Sequence, residues 1–237
     1  MTVKWRTEAD AAAVADTACR LIDIAARKSI AKRSRFRLVL AGGSTPLSVY
    51  RQLAVSDQKW KHWSLYYGDE RCLPADHPDR NSQLVAATGL PARAGKHYPI
   101  SAERGGTAAA ADYRARIRSA QPFDMVLLGM GEDGHTASLF PGQTWPDKSV
   151  FAVTNAPKPP PDRVTLGVHA LQNCRCMLVL VTGDSKAFAV QQWRSGADLP
   201  IARVSDVDHG LIVVERKCLG FAVGQAGKNP ERIESVR

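Results

Sequence analysis

Between Phe123 and Gly142 the chain reads FDMVLLGMGEDGHTASLFPG. Glu132, Asp133 and His135 fall within four consecutive positions there, among Gly129, Gly131 and Gly134. An unperturbed imidazole titrates near pH ~6.5, so a histidine can take a proton from water close to neutrality. A carboxylate beside it fixes which ring nitrogen is free and favours the imidazolium that forms. Asp133 is the candidate nearest in sequence for that partner. Asp69, in the cluster Asp69-Glu70-Arg71, is the other. Arg71 adds a permanently charged fork suited to a developing oxyanion. A third cluster, Gly42-Gly43-Ser44-Thr45-Pro46, offers uncovered N–H groups, two hydroxyls and the start of a helix, the ingredients of an anion site. Ser44 or Thr45 is expected to cap that helix. No Gly-Lys-Ser/Thr follows and the spacing is not GxGxxG, so a nucleotide is not indicated.

Each cluster follows an apolar run of strand length. Strands are predicted over 36–41, 63–68, 125–128, 150–153, 177–181 and 211–214. Helices are predicted over 8–32, 47–53, 81–88 and 107–120, in one or two turns at 169–173, and from 186 to 194. A short helical segment is expected at Thr136-Ala137-Ser138. Residues 93–105 read as irregular, and Lys158-Pro159-Pro160-Pro161 as an extended bend that no helix can cross. Strands alternating with helices argue for an α/β fold, a mostly parallel sheet with helices on both faces. The 237 residues fit one domain, 1–237, whose polar tail at 225–237 is expected to fray beyond a last apolar segment at Phe221–Gly224.

The balance of 32 basic against 23 acidic residues, net +9, suits an anionic partner. Much of the excess lies in Arg27, Lys28, Lys32, Arg33, Arg35 and Arg37 around a helix end, which reads as a solvated face. No base-reading element accompanies it, so nucleic acid is not expected as a partner. Five scattered cysteines fit reduced thiols, and Cys174-Arg175-Cys176 lacks metal-ligand spacing. No apolar run approaches the ~18 residues of a membrane span, and no signal peptide is read at the start. A cytoplasmic protein that does not engage membranes is expected, as a monomer or weak homodimer.

GGSTP, YYGDERCLPADHPDRN, FDMVLLGMGEDGHTASLFPG, RVTLG and TGDSKA, in this order and spacing, resemble the 6-phosphogluconolactonases. Their superfamily includes glucosamine-6-phosphate deaminase. The resemblance covers roughly 38–214. It implies an open Rossmann-like fold without a nucleotide, no metal or organic cofactor, and a phosphorylated sugar lactone, 6-phospho-D-glucono-1,5-lactone, as substrate. It also implies that Arg163 and Lys186 are cationic phosphate ligands, joined by the Gly42–Thr45 turn, and that Asn81 is a substrate-side residue. The residue before that asparagine is usually serine in the family and here is Arg80.

Two rival readings are weaker. The deaminase uses a further carboxylate five residues after the motif histidine, where this chain has Phe140. It also lacks an arginine corresponding to Arg71. A sugar-phosphate sensor of a transcriptional regulator would carry a DNA-binding helix pair, whereas a single helix is predicted before the first predicted strand.

Overall fold

A computed structural model of the protein describes residues 3–220. The polar tail and the Phe221–Gly224 segment lie outside the described residues. The first half runs β1 (Lys4–Glu8), α1 (Ala11–Arg33), β2 (Phe36–Leu40), α2 (Ser44–Ala54), β3 (Trp63–Tyr67), β4 (Asp69–Arg71), α3 (Asn81–Ala86), α4 (Leu90–Arg93), β5 (Lys96–His97) and α5 (Gly106–Arg118). The second half runs β6 (Met125–Gly129), β7 (Val150–Val153), β8 (Arg163–Leu166), α6 (Val168–Gln172), β9 (Met177–Val181), α7 (Ala187–Arg194), α8 (Pro200–Ser205) and β10 (Gly210–Glu215).

Seven strands form one parallel sheet in the order β1-β10-β9-β6-β2-β3-β5. The central strands are apolar throughout because both faces are covered: all five residues of β9 are buried, and in β6 only Gly129 is partly exposed. Helix α1 starts where Asp10 accepts a hydrogen bond from the Ala13 N–H at 2.8 Å, and it buries Val14, Ala18, Ile22, Ala26 and Ile30 at helical spacing. From β2 the chain moves outward to β3 and β5, then returns to place β6 on the other side of β2. That reversal opens a crevice at the carboxyl ends of β2 and β6, where ligands bind in open α/β sheets.

The expectation of a mostly parallel sheet holds, with additions and corrections. A second, antiparallel sheet, β4-β8-β7, stands over the carboxyl ends, so Asp69-Glu70-Arg71 is a strand and not a turn. Its register sets Arg71 opposite Arg163, which puts two cations side by side. An edge strand, β1, precedes the first helix. Helices α4 and α8 and the two-residue strand β5 also go beyond the predicted elements. No helix forms at 136–138. Thr136 instead bridges to Leu139 around Ala137, whose φ is 49°, and the Thr136 hydroxyl donates to the Gly129 carbonyl at 2.8 Å.

Candidate active site

The crevice is a cleft of about 310 Å³. The turns after β2, β3, β6 and β9 converge on it, and the sequence between β7 and β8 closes one side. Gly42, Gly43, Ser44, Thr45, Asp69, Arg71, Asn81, His135, Arg163 and Lys186 all line it. Asp133 stands beside His135.

The turn after β6 is built around one hydrogen bond. Asp133 Oδ1 lies 2.5 Å from His135 Nδ1, which leaves Nε2 as the basic nitrogen. Burial alone would raise the Asp133 pKa. The hydrogen bond from His135, the imidazole's charge and Lys158 outweigh it and hold the carboxyl well below the usual range. Gly131 is required here by space: a Cβ on it would fall 1.9 Å from His135 Nδ1 and 2.6 Å from Asp133 Oδ1. The Gly131 N–H donates to the His135 carbonyl at 2.8 Å, closing the loop on itself. From outside, α8 braces it: the Ile201 N–H donates to the Gly134 carbonyl at 3.1 Å, and Leu199 packs on Gly134. Phe140, fully buried, sets its ring 4.7 Å from the imidazole, giving the histidine an apolar neighbour where a deaminase would need a carboxylate.

Of the two carboxylates open to the role, Asp133 is the one that touches His135. Asp69 is engaged elsewhere: its oxygens accept from Asn81 Nδ2 at 3.0 Å and from the Ser138 hydroxyl at 2.7 Å. Asn81 sits behind the Gly42 turn, 3% exposed, with Oδ1 unpartnered; a Cβ on Gly42 would meet that oxygen at 2.2 Å. Arg71 donates through Nη1 to the Asp79 carbonyl at 2.6 Å, and its Nε has no partner.

Around the Gly42-Gly43 turn, one expectation needs correcting. Gly43 is the N-cap of α2, no side chain caps it, and Ser44 and Thr45 lie within the first helical turn. The Thr45 hydroxyl pairs with that of Thr182 at 2.5 Å, joining the turns after β2 and β9. Ser44 is exposed. Lys186 reaches the cleft with its Nζ 3.9 Å from Glu132. Burial lowers its pKa, and the nearby Glu132 opposes that shift.

Arg163 lines the cleft and also binds the proline segment. Its Nε donates to the Pro160 carbonyl at 3.0 Å, and Nη2 donates to the carbonyls of Lys158 and Pro159 at 3.0 and 2.9 Å. Its guanidinium lies over the Phe140 ring, 5.5 Å from the centroid. Three of its donor contacts therefore fold the proline segment, and that fold delivers Lys158 to the cleft, 3.4 Å from Asp133. Nothing in the sequence marks Lys158 as a cleft residue, because its proline neighbours read as an extended bend. Among the described residues no group of three His, Cys, Asp or Glu side chains is placed to hold a metal ion, and no helix is long and apolar enough to cross a membrane.

Comparison with known proteins shows which family this fold and sequence fall in. The family model described as glucosamine-6-phosphate isomerases/6-phosphogluconolactonase matches residues 9–213. A 6-phosphogluconolactonase of Mycobacterium leprae is 34% identical over 191 residues, covering 72% of this chain and 77% of that protein. The Oryza sativa protein named "Probable 6-phosphogluconolactonase 4, chloroplastic" is 33% identical over 189 residues. That match takes in 70% of this chain but 58% of the rice protein's length. The crystal structure of a 6-phosphogluconolactonase from Thermotoga maritima superposes with a TM-score of 0.81 at 28% identity, covering 91% of this chain and all of that one.

Proposed function

The chain belongs to the glucosamine-6-phosphate isomerase/6-phosphogluconolactonase family, and from that premise we propose that it hydrolyses 6-phospho-D-glucono-1,5-lactone to 6-phospho-D-gluconate in the oxidative pentose phosphate pathway. The observation that carries this reading is the His135–Asp133 pair at 2.5 Å beside a cleft that the Gly42–Thr45 turn also lines.

In this reading His135 Nε2 takes a proton from water as the water oxygen bonds to lactone C1. Asp133, kept ionised, favours the imidazolium. Arg71 stabilises the tetrahedral oxyanion. As the C1–ring oxygen bond breaks, the imidazolium returns its proton to the leaving oxygen. The phosphate sits against the Gly42-Gly43 amides and Lys186, with Lys158 as a second ammonium and Arg163 holding the segment that carries it. Asp69 and Asn81 brace the substrate side. The fully buried Phe140 beside His135 speaks against deaminase chemistry, because no carboxylate stands there to shuttle protons. The five cysteines are all free, in keeping with a reducing compartment, and we place the enzyme in the cytoplasm as a monomer or weak homodimer.

A coupled assay with freshly generated lactone tests the reading. Hydrolysis well above the spontaneous rate, with no ammonia released from glucosamine 6-phosphate, is the expected result. A rate equal to background would overturn it. In the same assay, Lys186→Ala should raise KM by roughly 10–100-fold with little change in kcat, since a charged hydrogen bond to a remote phosphate is made equally in ground and transition states. A loss confined to kcat would place Lys186 at the reacting carbon instead.

A further inference from the structure

Glu70 is completely buried, yet it is the hub of the substrate side of the cleft. Its Oε1 accepts from the backbone N–H of Arg71 at 2.8 Å and of Asn81 at 2.7 Å, and its Oε2 accepts from that of Ser82 at 2.9 Å. Helix α3 has no side-chain cap of its own, because Arg80 occupies its N-cap position and its side chain caps nothing. A carboxylate from β4 does that work. One carboxyl group thus ties Arg71 and Asn81, which both line the cleft, to a single anchor.

A buried carboxylate requires a counter-charge. The nearest is Arg80, itself 3% exposed, with Nε 3.5 Å from Glu70 Oε2. That approach is an ion pair without a hydrogen bond, and two of the other Arg80 donors are held from the other side, Nη1 by Glu103 Oε2 at 2.7 Å and Nη2 by the Ile100 carbonyl at 2.6 Å. We propose that Arg80 is a positioning residue: it acts through Glu70 to hold the backbone of Arg71 and Asn81, and so sets the geometry in which the substrate's sugar oxygens are gripped. The kinetic part of this proposal rests on the lactonase reading. The guanidinium fork is needed because one group must meet Glu70, Glu103 and a carbonyl at once, which an ammonium on a flexible stem cannot do with the same rigidity.

A double-mutant cycle decides it. Removing only Arg80 leaves an unpaired buried charge, whereas removing both charges does not. Arg80→Met should lower kcat/KM about tenfold, the worth of one misplaced hydrogen bond, and should weaken 6-phosphogluconate binding in calorimetry by a similar factor. Arg80→Met combined with Glu70→Gln should lose less than the two single losses added together, because the Gln oxygen still accepts from Arg71 and Asn81 although its NH2 now faces the Ser82 N–H, and Arg80→Lys should fold and fall in between. Additive losses in the double variant, or full activity and binding in a folded Arg80→Met protein, would overturn the proposal. So would a Glu103→Gln variant that reproduces Arg80→Met in full, since Arg80 would then serve only the 99–105 loop. The calorimetric arm does not depend on turnover: product binding weakened in Arg80→Met, with less than additive weakening in the double variant, supports the positioning role even if the wild type hydrolyses no lactone, a result that would count against the lactonase reading alone.

Discussion

His135→Ala will lower kcat/KM for 6-phosphogluconolactone by roughly 10²–10⁴-fold, the usual contribution of a positioned general base. The fall should lie in kcat, because the phosphate cradle is made by other residues. The protein should still fold: the imidazole is partly exposed, and its hydrogen-bond partner Asp133 keeps solvent access and the Lys158 contact. A folded His135→Ala enzyme with wild-type turnover would remove His135 from the mechanism. Residual activity above the uncatalysed rate is expected, because Arg71 and the phosphate site still orient and polarise the lactone.

Gly131→Ala should come close to the same loss without touching a titratable group. The added methyl would occupy space 1.9 Å from His135 Nδ1 and 2.1 Å from its Cε1, so either the imidazole or the loop backbone has to move. A displacement of about 1 Å in a catalytic group costs on the order of 10² in rate. Since both changes strike the same pair, Gly131→Ala in the His135→Ala background should add little further loss. Affinity for 6-phosphogluconate should persist in both variants. Wild-type kcat in Gly131→Ala would mean that the loop relaxes freely and that the tight His135–Asp133 geometry is not required.

The central strands could be read from the chain because each is a continuous apolar run ending in glycine or a polar cluster, as in Met125–Gly129 and Met177–Val181. Edge strands give no such signal. KWRTE in β1 alternates charges with a partly buried Trp5, and β4 is three residues, all charged, that form a strand only because β8 pairs with them. The reverse error occurred at 136–138, where acceptable helix formers are held in a turn by the Thr136 hydroxyl and by the bond from Ser138 to Asp69. The site shows the same division. His135, Arg71, Lys186 and the Gly42-Gly43 turn stand at strand ends and announce themselves. What excludes Asp69, which is tied to Ser138 69 positions away, and the brace from Leu199 at the start of α8 onto Gly134 depend on contacts between distant segments, and the use of Arg163 to fold the proline segment depends on a backbone path that composition does not encode.

The account stands on His135 acting as a neutral base, and the pH dependence of kcat/KM, with spontaneous hydrolysis subtracted, addresses it most directly. The His135 hydrogen bond and Lys158 hold the Asp133 pKa well below the usual carboxylate range, so an acid limb is not expected to come from this carboxyl. A protonated imidazole has no lone pair left to accept a proton from water, so a rate that depends on the neutral ring should fall as pH drops. That limb should vanish from the residual activity of His135→Ala. An acid limb that survives unchanged in His135→Ala would assign the base to another group and contradict the mechanism.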